Sequence, residues 1–280
     1  MGKKLGALLI GSILLIACSY SSLIAQTDSS HHISLLKTIA DNLIDFTTDN
    51  LGNIYLVNDN NQVKKLNEKG DSLGIYNDIK RYGTISSIDA TNPLKLIVFY
   101  KDFSTIAVLD RFLNYRNRID LRSQNMPQIK LVTNSYDNNY WLFDELENKI
   151  KKIDDNGTVL LESADLRQAL ETVPSPIAMF DKDGQLYLYD SSMGLLVFDY
   201  YGARKNTLQL LQMQDIQVID KNTITGRDSS HILLYKPSIF QLQSYSIFPN
   251  QDLYKKINFS GDKIYCLTKK GTLEIYQFLK

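Results

Sequence analysis

The chain of 280 residues holds two cysteines, three histidines and one tryptophan. Cys18 lies in a segment read below as removed or lipidated, which leaves Cys266 without an intrachain disulfide partner. A nucleophilic cysteine needs a histidine beside it, and neither His31, His32 nor His231 stands at a recognisable spacing from Cys266. Cys266, in the alternating stretch Ile264-Tyr265-Cys266-Leu267, therefore reads as a small buried hydrophobe. The sequence also lacks a glycine-rich phosphate loop, paired Cys or His ligand spacings and a nucleophile elbow, so it assigns no reaction and no cofactor. An excess of one charge is missing as well. Lys+Arg and Asp+Glu are 31 each, and removal of Lys3 and Lys4 leaves the mature chain slightly acidic, which argues against a general nucleic-acid binder.

The long apolar run is N-terminal. Lys3-Lys4 precede an apolar stretch from Leu5 to Ala17, short for a membrane span and suited to a bacterial export signal. Two processing sites compete. Leu15-Ile16-Ala17-Cys18 resembles a lipobox, which would lipidate Cys18 and remove residues 1–17. Leu23-Ile24-Ala25 before Gln26 resembles an ordinary signal-peptidase site, and the expected division is 1–25 signal peptide, 26–32 linker and 33–280 folded domain. The protein is expected in the periplasm or at the outer membrane, as a monomer, touching the membrane only through a lipid on Cys18.

Beyond residue 30 the chain repeats. An apolar-aromatic strand core recurs as Ile54-Tyr55-Leu56, Leu96-Ile97-Val98, Tyr140-Trp141-Leu142, Leu186-Tyr187-Leu188, Ile224-Thr225 and Ile264-Tyr265-Cys266, with starts 42, 44, 46, 38 and 40 residues apart. A second marker, an apolar residue followed by Asp or Asn and then usually Gly, recurs at Leu66-Asn67, Leu109-Asp110, Ile153-Asp154 and Phe198-Asp199. Each repeat holds about four short alternating segments. In the first they are Ile44 to Thr48, Asn53 to Asn58, Gln62 to Asn67 and Ser72 to Tyr76. Four strands per repeat of this length predict an all-β, six-bladed β-propeller. The last repeat runs out after its third strand, Thr272 to Leu279, and the alternating Ile33 to Ala40 is expected to supply its fourth. Helical patterning is confined to Ser163–Val173, where Ser163 is the expected cap and Leu166, Leu170 and Val173 the expected buried face.

Phe46-Thr47-Thr48-Asp49-Asn50-Leu51-Gly52-Asn53-Ile54-Tyr55-Leu56, followed by a strand ending at the turn glycine Gly70, resembles an NHL-type repeat. Asp181-Lys182-Asp183-Gly184-Gln185 before Leu186-Tyr187-Leu188 is similar. The other four repeats match in outline. The resemblance implies a six-bladed, TolB-like propeller and carries no single function, because such folds host scaffolds, sensors and enzymes alike.

Two functions are weighed. The first is a non-catalytic scaffold that presents one face to an envelope protein or glycan. Loops between second and third strands share a face with the blade connections, and they vary from blade to blade, which places Lys101, Asp144, Asp190, Arg227 and His231 on the candidate face. The connections add Asp78-Ile79-Lys80-Arg81, Asp120-Leu121-Arg122 and Asp165-Leu166-Arg167. These read either as a capping Asp, a buried aliphatic and a solvated base, or as an arc of Arg81, Arg122 and Arg167 that meets an anion. The basic run Arg111 to Arg118 is expected on the opposite face. The alternative function is a metal-dependent hydrolase or lactonase at the channel mouth. Asp45, Asp89, Asn134, Asp220 and Asn258 would be its oxygen ligands, or would instead cap strand-end turns.

Overall fold

The computed structural model describes residues 33–77, 82–248 and 250–278. Both proposed processing sites, the linker 26–32 and Arg81 lie outside the described residues. Twenty-four strands form six four-stranded antiparallel sheets, so the chain is an all-β, six-bladed propeller. Blade one runs β2 (Leu43–Thr48), β3 (Ile54–Asn58), β4 (Val63–Leu66) and β5 (Ser72–Tyr76). Blade two runs β6 (Ser87–Asn92), β7 (Lys95–Tyr100), β8 (Thr105–Asp110) and β9 (Tyr115–Asp120). Blade three runs β10 (Ile129–Asn134), β11 (Tyr140–Asp144), β12 (Lys149–Ile153) and β13 (Val159–Glu162). Blade four runs β14 (Ala178–Lys182), β15 (Gln185–Asp190), β16 (Gly194–Phe198) and β17 (Arg204–Leu208). Blade five runs β18 (Gln214–Asp220), β19 (Thr223–Arg227), β20 (Ile232–Lys236) and β21 (Gln241–Tyr245).

Blade six takes β22 (Tyr254–Ser260), β23 (Lys263–Thr268) and β24 (Thr272–Phe278) from the C-terminus. Its outer strand is β1 (Ile33–Ala40), paired antiparallel to β24 from Ile33 opposite Phe278 to Ala40 opposite Thr272. The expected closure is therefore present. The pairing gives β24 a neighbour and joins the two ends of the described chain in one sheet.

Successive strand residues point to opposite faces, so the second strand of each blade loads both neighbouring seams. Tyr55 enters the seam between blades one and two, Trp141 that between three and four, and Tyr265 that between six and one. The buried apolar residues fall into clusters that each join two adjacent blades. Each fully buried side chain of this size contributes about 1.5–3 kcal/mol, so stability is spread around the ring.

The second sequence marker proves to be an Asx turn joining third and fourth strands. Asp110 accepts from the Phe112 and Asn114 amides at 2.8 and 2.9 Å, and Asp154 and Asp199 repeat the pattern. The turn needs a left-handed residue. Gly157 supplies it after Asp154 (φ 84°), whereas blade two uses Leu113 at φ 65°. Leu113 is buried in the seam with blade one, so packing offsets the conformational cost.

The helical turn is shorter than the pattern suggested, at Leu166–Leu170. Its cap is Asp165, which accepts from the Arg167 amide, and not Ser163. Ser163 instead accepts from the Ile150 amide at the blade edge, 3.0 Å away. Leu166 is buried and Leu170 packs against the same seam, but Val173 is exposed, because the turn ends before bringing it round.

Candidate functional site

The ends of the propeller differ. One carries the blade connections and the loops between second and third strands. The other carries the turns that follow the innermost strands.

On the connection face, the repeated Asp-Leu-Arg units cap their turns. Asp120 accepts from the Arg122 amide at 3.2 Å and Asp165 from the Arg167 amide at 2.9 Å, with Leu121 and Leu166 buried beneath. The two arginines then part company. Arg167 forks back onto Asp165, its Nε 3.0 Å from both carboxylate oxygens, and this guanidinium holds Asp165 below the usual carboxylate range. Arg122 donates to the Asp102 carbonyl and lies 5.7 Å from the Phe103 ring centroid.

Arg118 joins Arg122. The run Arg111 to Arg118 was expected on the opposite face, and for Arg118 that expectation is corrected. The Asx turn closes by Asn114, so Arg116 and Arg118 lie on β9 itself. Alternate β9 side chains leave by opposite sides. Asn117 reaches the Asp155 carbonyl of blade three, whereas Arg118 lies 6.0 Å from the Tyr82 ring centroid on the side of blade one. Arg118, Arg122, Tyr82, Phe103, Tyr115 and Asp120 line one hollow of about 560 Å³. Arg111 and Arg116 line a separate hollow at the other end of blade two.

The remaining candidates are mostly committed to the fold. Arg227 is only 5% exposed and forms an ion pair with Asp215 at 2.6 Å. It also donates to the Gln251 and Tyr254 carbonyls, each at 3.1 Å, and so ties blade five to blade six. Asp144 is buried against Lys151 at 2.8 Å and caps its loop through the Leu146 amide. Asp190 is buried and accepts from the Ser175 and Ser192 amides at 2.6 and 2.9 Å. Half-buried His231 donates its amide to Asp228. Lys101 is exposed and sits 3.7 Å from Glu145. Arg227, Asp144 and Asp190 thus offer no exposed charge on the candidate face, because each is itself buried, the first two in ion pairs and Asp190 in hydrogen bonds to its own loops.

The carboxylates among the proposed metal ligands are likewise engaged: Asp89 caps its turn through the Thr91 amide at 2.7 Å, as the capping reading expected, and a second role is one the sequence did not suggest. Inner-strand carboxylates stitch one blade to the next. Asp89 accepts from the Thr133 hydroxyl and the Asn134 amide of blade three, at 2.6 and 2.7 Å. Asp45 pairs with Lys256 of blade six at 2.7 Å, and Asp215 accepts from the Ile257 amide at 2.8 Å. Asp220 does cap a turn, through the Asn222 amide at 2.7 Å. Among the described residues, no group of three or more His, Cys, Asp or Glu is placed to hold a metal ion. Asn134 and Asn258 each keep a buried side-chain oxygen without a partner among the described residues.

At the opposite face, the channel mouth widens into a cavity of about 700 Å³. Thr48, Thr91, Lys182 and Ser260, near the ends of four inner strands, mark its mouth, and Ile232, Tyr245, Ile247 and Phe259 extend it between blades five and six. Neither Thr225 nor the Arg118–Arg122 convergence was identified as a site from sequence. Strand alternation was the available signal for Arg118, but its use required knowing where the preceding turn closed.

No protein-family model matches this chain, and no curated protein matches it. Its fold recurs among solved structures. A streptogramin B lyase structure is 15% identical, covers 85% of this chain and 79% of its own, and superposes with a TM-score of 0.58. A catalytically inactive virginiamycin B lyase from Staphylococcus aureus with quinupristin is 13% identical over 85% of this chain and 80% of its own, with a TM-score of 0.58. YCF48 bound to D1 peptide is 12% identical over 87% and 97%, with a TM-score of 0.56. At these identities the likeness is one of fold alone.

Proposed function

We propose that this chain is an exported, NHL-like propeller scaffold that holds an anionic partner of the cell envelope, a protein segment or an acidic glycan, on its connection face. The carrying observation is the shared hollow of Arg118 and Arg122 above Tyr82 and Phe103. Guanidinium planes on aromatic faces are well suited to fork onto carboxylate or phosphate while the rings pack apolar parts of a ligand. Neither guanidinium has an ion pair among the described residues. The NHL-like reading draws support from the Asp49 turn. Its carboxylate accepts from the Leu51 and Asn53 amides, the Asn53 side chain and the Tyr55 hydroxyl, so the quoted motif acts as one hydrogen-bonded unit. YCF48, of like fold, is seen bound to a peptide.

The experiment is capture from native envelope with the mature protein as bait. Arg118→Ala/Arg122→Ala should lose the partner, with an effect that shrinks as salt rises. Arg111→Ala/Arg116→Ala should retain it. Equal behaviour of the two variants refutes the reading. Mass spectrometry of the mature protein tests export, with a start at Gln26 expected and a lipidated Cys18 as the alternative. An intact Met1 on the envelope form refutes both.

A further inference from the structure

Blade five breaks a pattern that the other blades keep. The second residue of the marker strand points into the seam with the following blade, and it is Tyr55, Ile97, Trp141, Tyr187 and Tyr265 in blades one, two, three, four and six. In blade five it is Thr225. Its cross-strand partners on the same face are Gln217 and Leu234, and both line the cavity between blades five and six. The seam therefore lacks a ring at the place where four blades hold one, and space is left there.

The space is not simply apolar. Thr225 is 7% exposed, and its hydroxyl is buried with no hydrogen-bond partner among the described residues. A buried hydroxyl left unsatisfied costs about 1–3 kcal/mol, a cost that an incoming polar group would remove. In two blades the corresponding ring carries a bonded hydroxyl. Tyr55 donates to Asp49 at 3.0 Å and Tyr187 to Gln185 at 2.7 Å. Ile232, Leu234, Tyr245, Ile247 and Phe259 wall the vacant place. A concave, mainly apolar pocket with a few convergent polar atoms is the usual form of a small-molecule site.

The geometry points to a binding site between blades five and six for a small neutral molecule with one aromatic ring and a hydrogen-bonding substituent, which takes the place of the missing side-chain ring. The site opens on the face opposite the Arg118–Arg122 hollow and is independent of any partner bound there. Ring faces pack against Ile232 and Phe259, and the polar substituent engages the Thr225 hydroxyl.

p-Cresol, the tyrosine side chain in free form, is the direct probe. Titration of the full mature protein, followed by NMR, should show saturable binding with contacts from the ring to the Ile232 and Thr225 methyls. Thr225→Tyr fills the place covalently and should weaken p-cresol binding about tenfold or abolish it. Thr225→Val keeps the shape without the hydroxyl, so it should weaken p-cresol several-fold and leave toluene unaffected. Absence of saturable binding by the unaltered protein, or contacts elsewhere, overturns the proposal. So does undiminished binding by a folded Thr225→Tyr. The contact pattern in the unaltered protein decides the matter even if that variant does not fold.

Discussion

Lys256 and Asp45 stand 211 residues apart in sequence and 2.7 Å apart in space, nitrogen to carboxylate oxygen. Lys256 also donates to the Phe46 carbonyl at 2.8 Å. The last blade thus grips the first at the channel, while β1 completes the same blade at the rim. The ring is closed at both radii.

Closure at the rim should contribute a large share of the stability. Deleting Ile33–Ala40 removes an eight-residue strand and exposes the edge of β24. The loss should be several kcal/mol, a large part of a total of about 5–15 kcal/mol. Removal of residues 26–30 should leave the thermal midpoint in place. Two unchanged midpoints would show that β1 is dispensable.

Arg227 should behave as a buried structural charge. Arg227→Ala strands the Asp215 carboxylate and two carbonyls, and a broken buried pair costs about 3–5 kcal/mol. Arg227→Met with Asp215→Leu should recover part of that loss, limited by the Ile257 amide that Asp215 also satisfies. Urea denaturation of the two variants makes the comparison.

Asp181 joins blades three and four by accepting from the Ser135 hydroxyl, the Trp141 indole and the Tyr200 hydroxyl, at 3.0, 2.9 and 2.6 Å. Asp181→Ala leaves those donors unsatisfied and should cost roughly 3 kcal/mol or more, given about 1–3 kcal/mol for each buried group left unpaired. The fluorescence of Trp141, the single tryptophan, reports the change directly.

Acid should weaken the loop held by Asp190. Burial pushes this carboxyl up, but hydrogen bonds from Ser192 and the Ser175 and Met193 amides outweigh it, and its folded pKa lies below the ordinary value. A depressed folded pKa gives stability that is complete above the unfolded value, about 3.9, and is lost as pH falls through the folded one. Asp190→Asn should therefore be less stable than the unaltered protein at pH 7, with the gap narrowing below about pH 4. A constant gap across that range would show that ionisation of Asp190 contributes nothing.

Cys266 should be chemically silent. It is fully buried among Ile257, Ile264 and Tyr254, and burial pushes its thiol well above the ordinary cysteine range. Alkylation at neutral pH should follow global unfolding and no faster local opening. Rapid labelling of native protein would contradict this.

Periodicity made the architecture legible in sequence. The blades repeat the same alternating strands, and blades one to four add the same Asx turn; these are local requirements, so Asn67, Asp110, Asp154 and Asp199 mark the register without knowledge of the fold. The missing fourth strand of the last repeat and the surplus strand Ile33–Ala40 made closure a matter of counting. The surface was less legible. Arg227 and Arg122 look alike in sequence, yet one is a buried clamp and the other lies over Phe103 at a hollow. Asp45 and Asp89 resemble turn caps or metal ligands; Asp89 does cap its turn through the Thr91 amide, and both also stitch blades. Thr225 departs visibly from a series of bulky residues, four of them aromatic, but its small side chain becomes a cavity only because blade six does not move in to fill the space. The physical reason is one of range. Turns and strand alternation depend on residues two to five apart, which the chain carries in order. Burial of a charge, convergence of two arginines and the filling of a seam depend on groups from different strands and blades, brought together only when the ring closes.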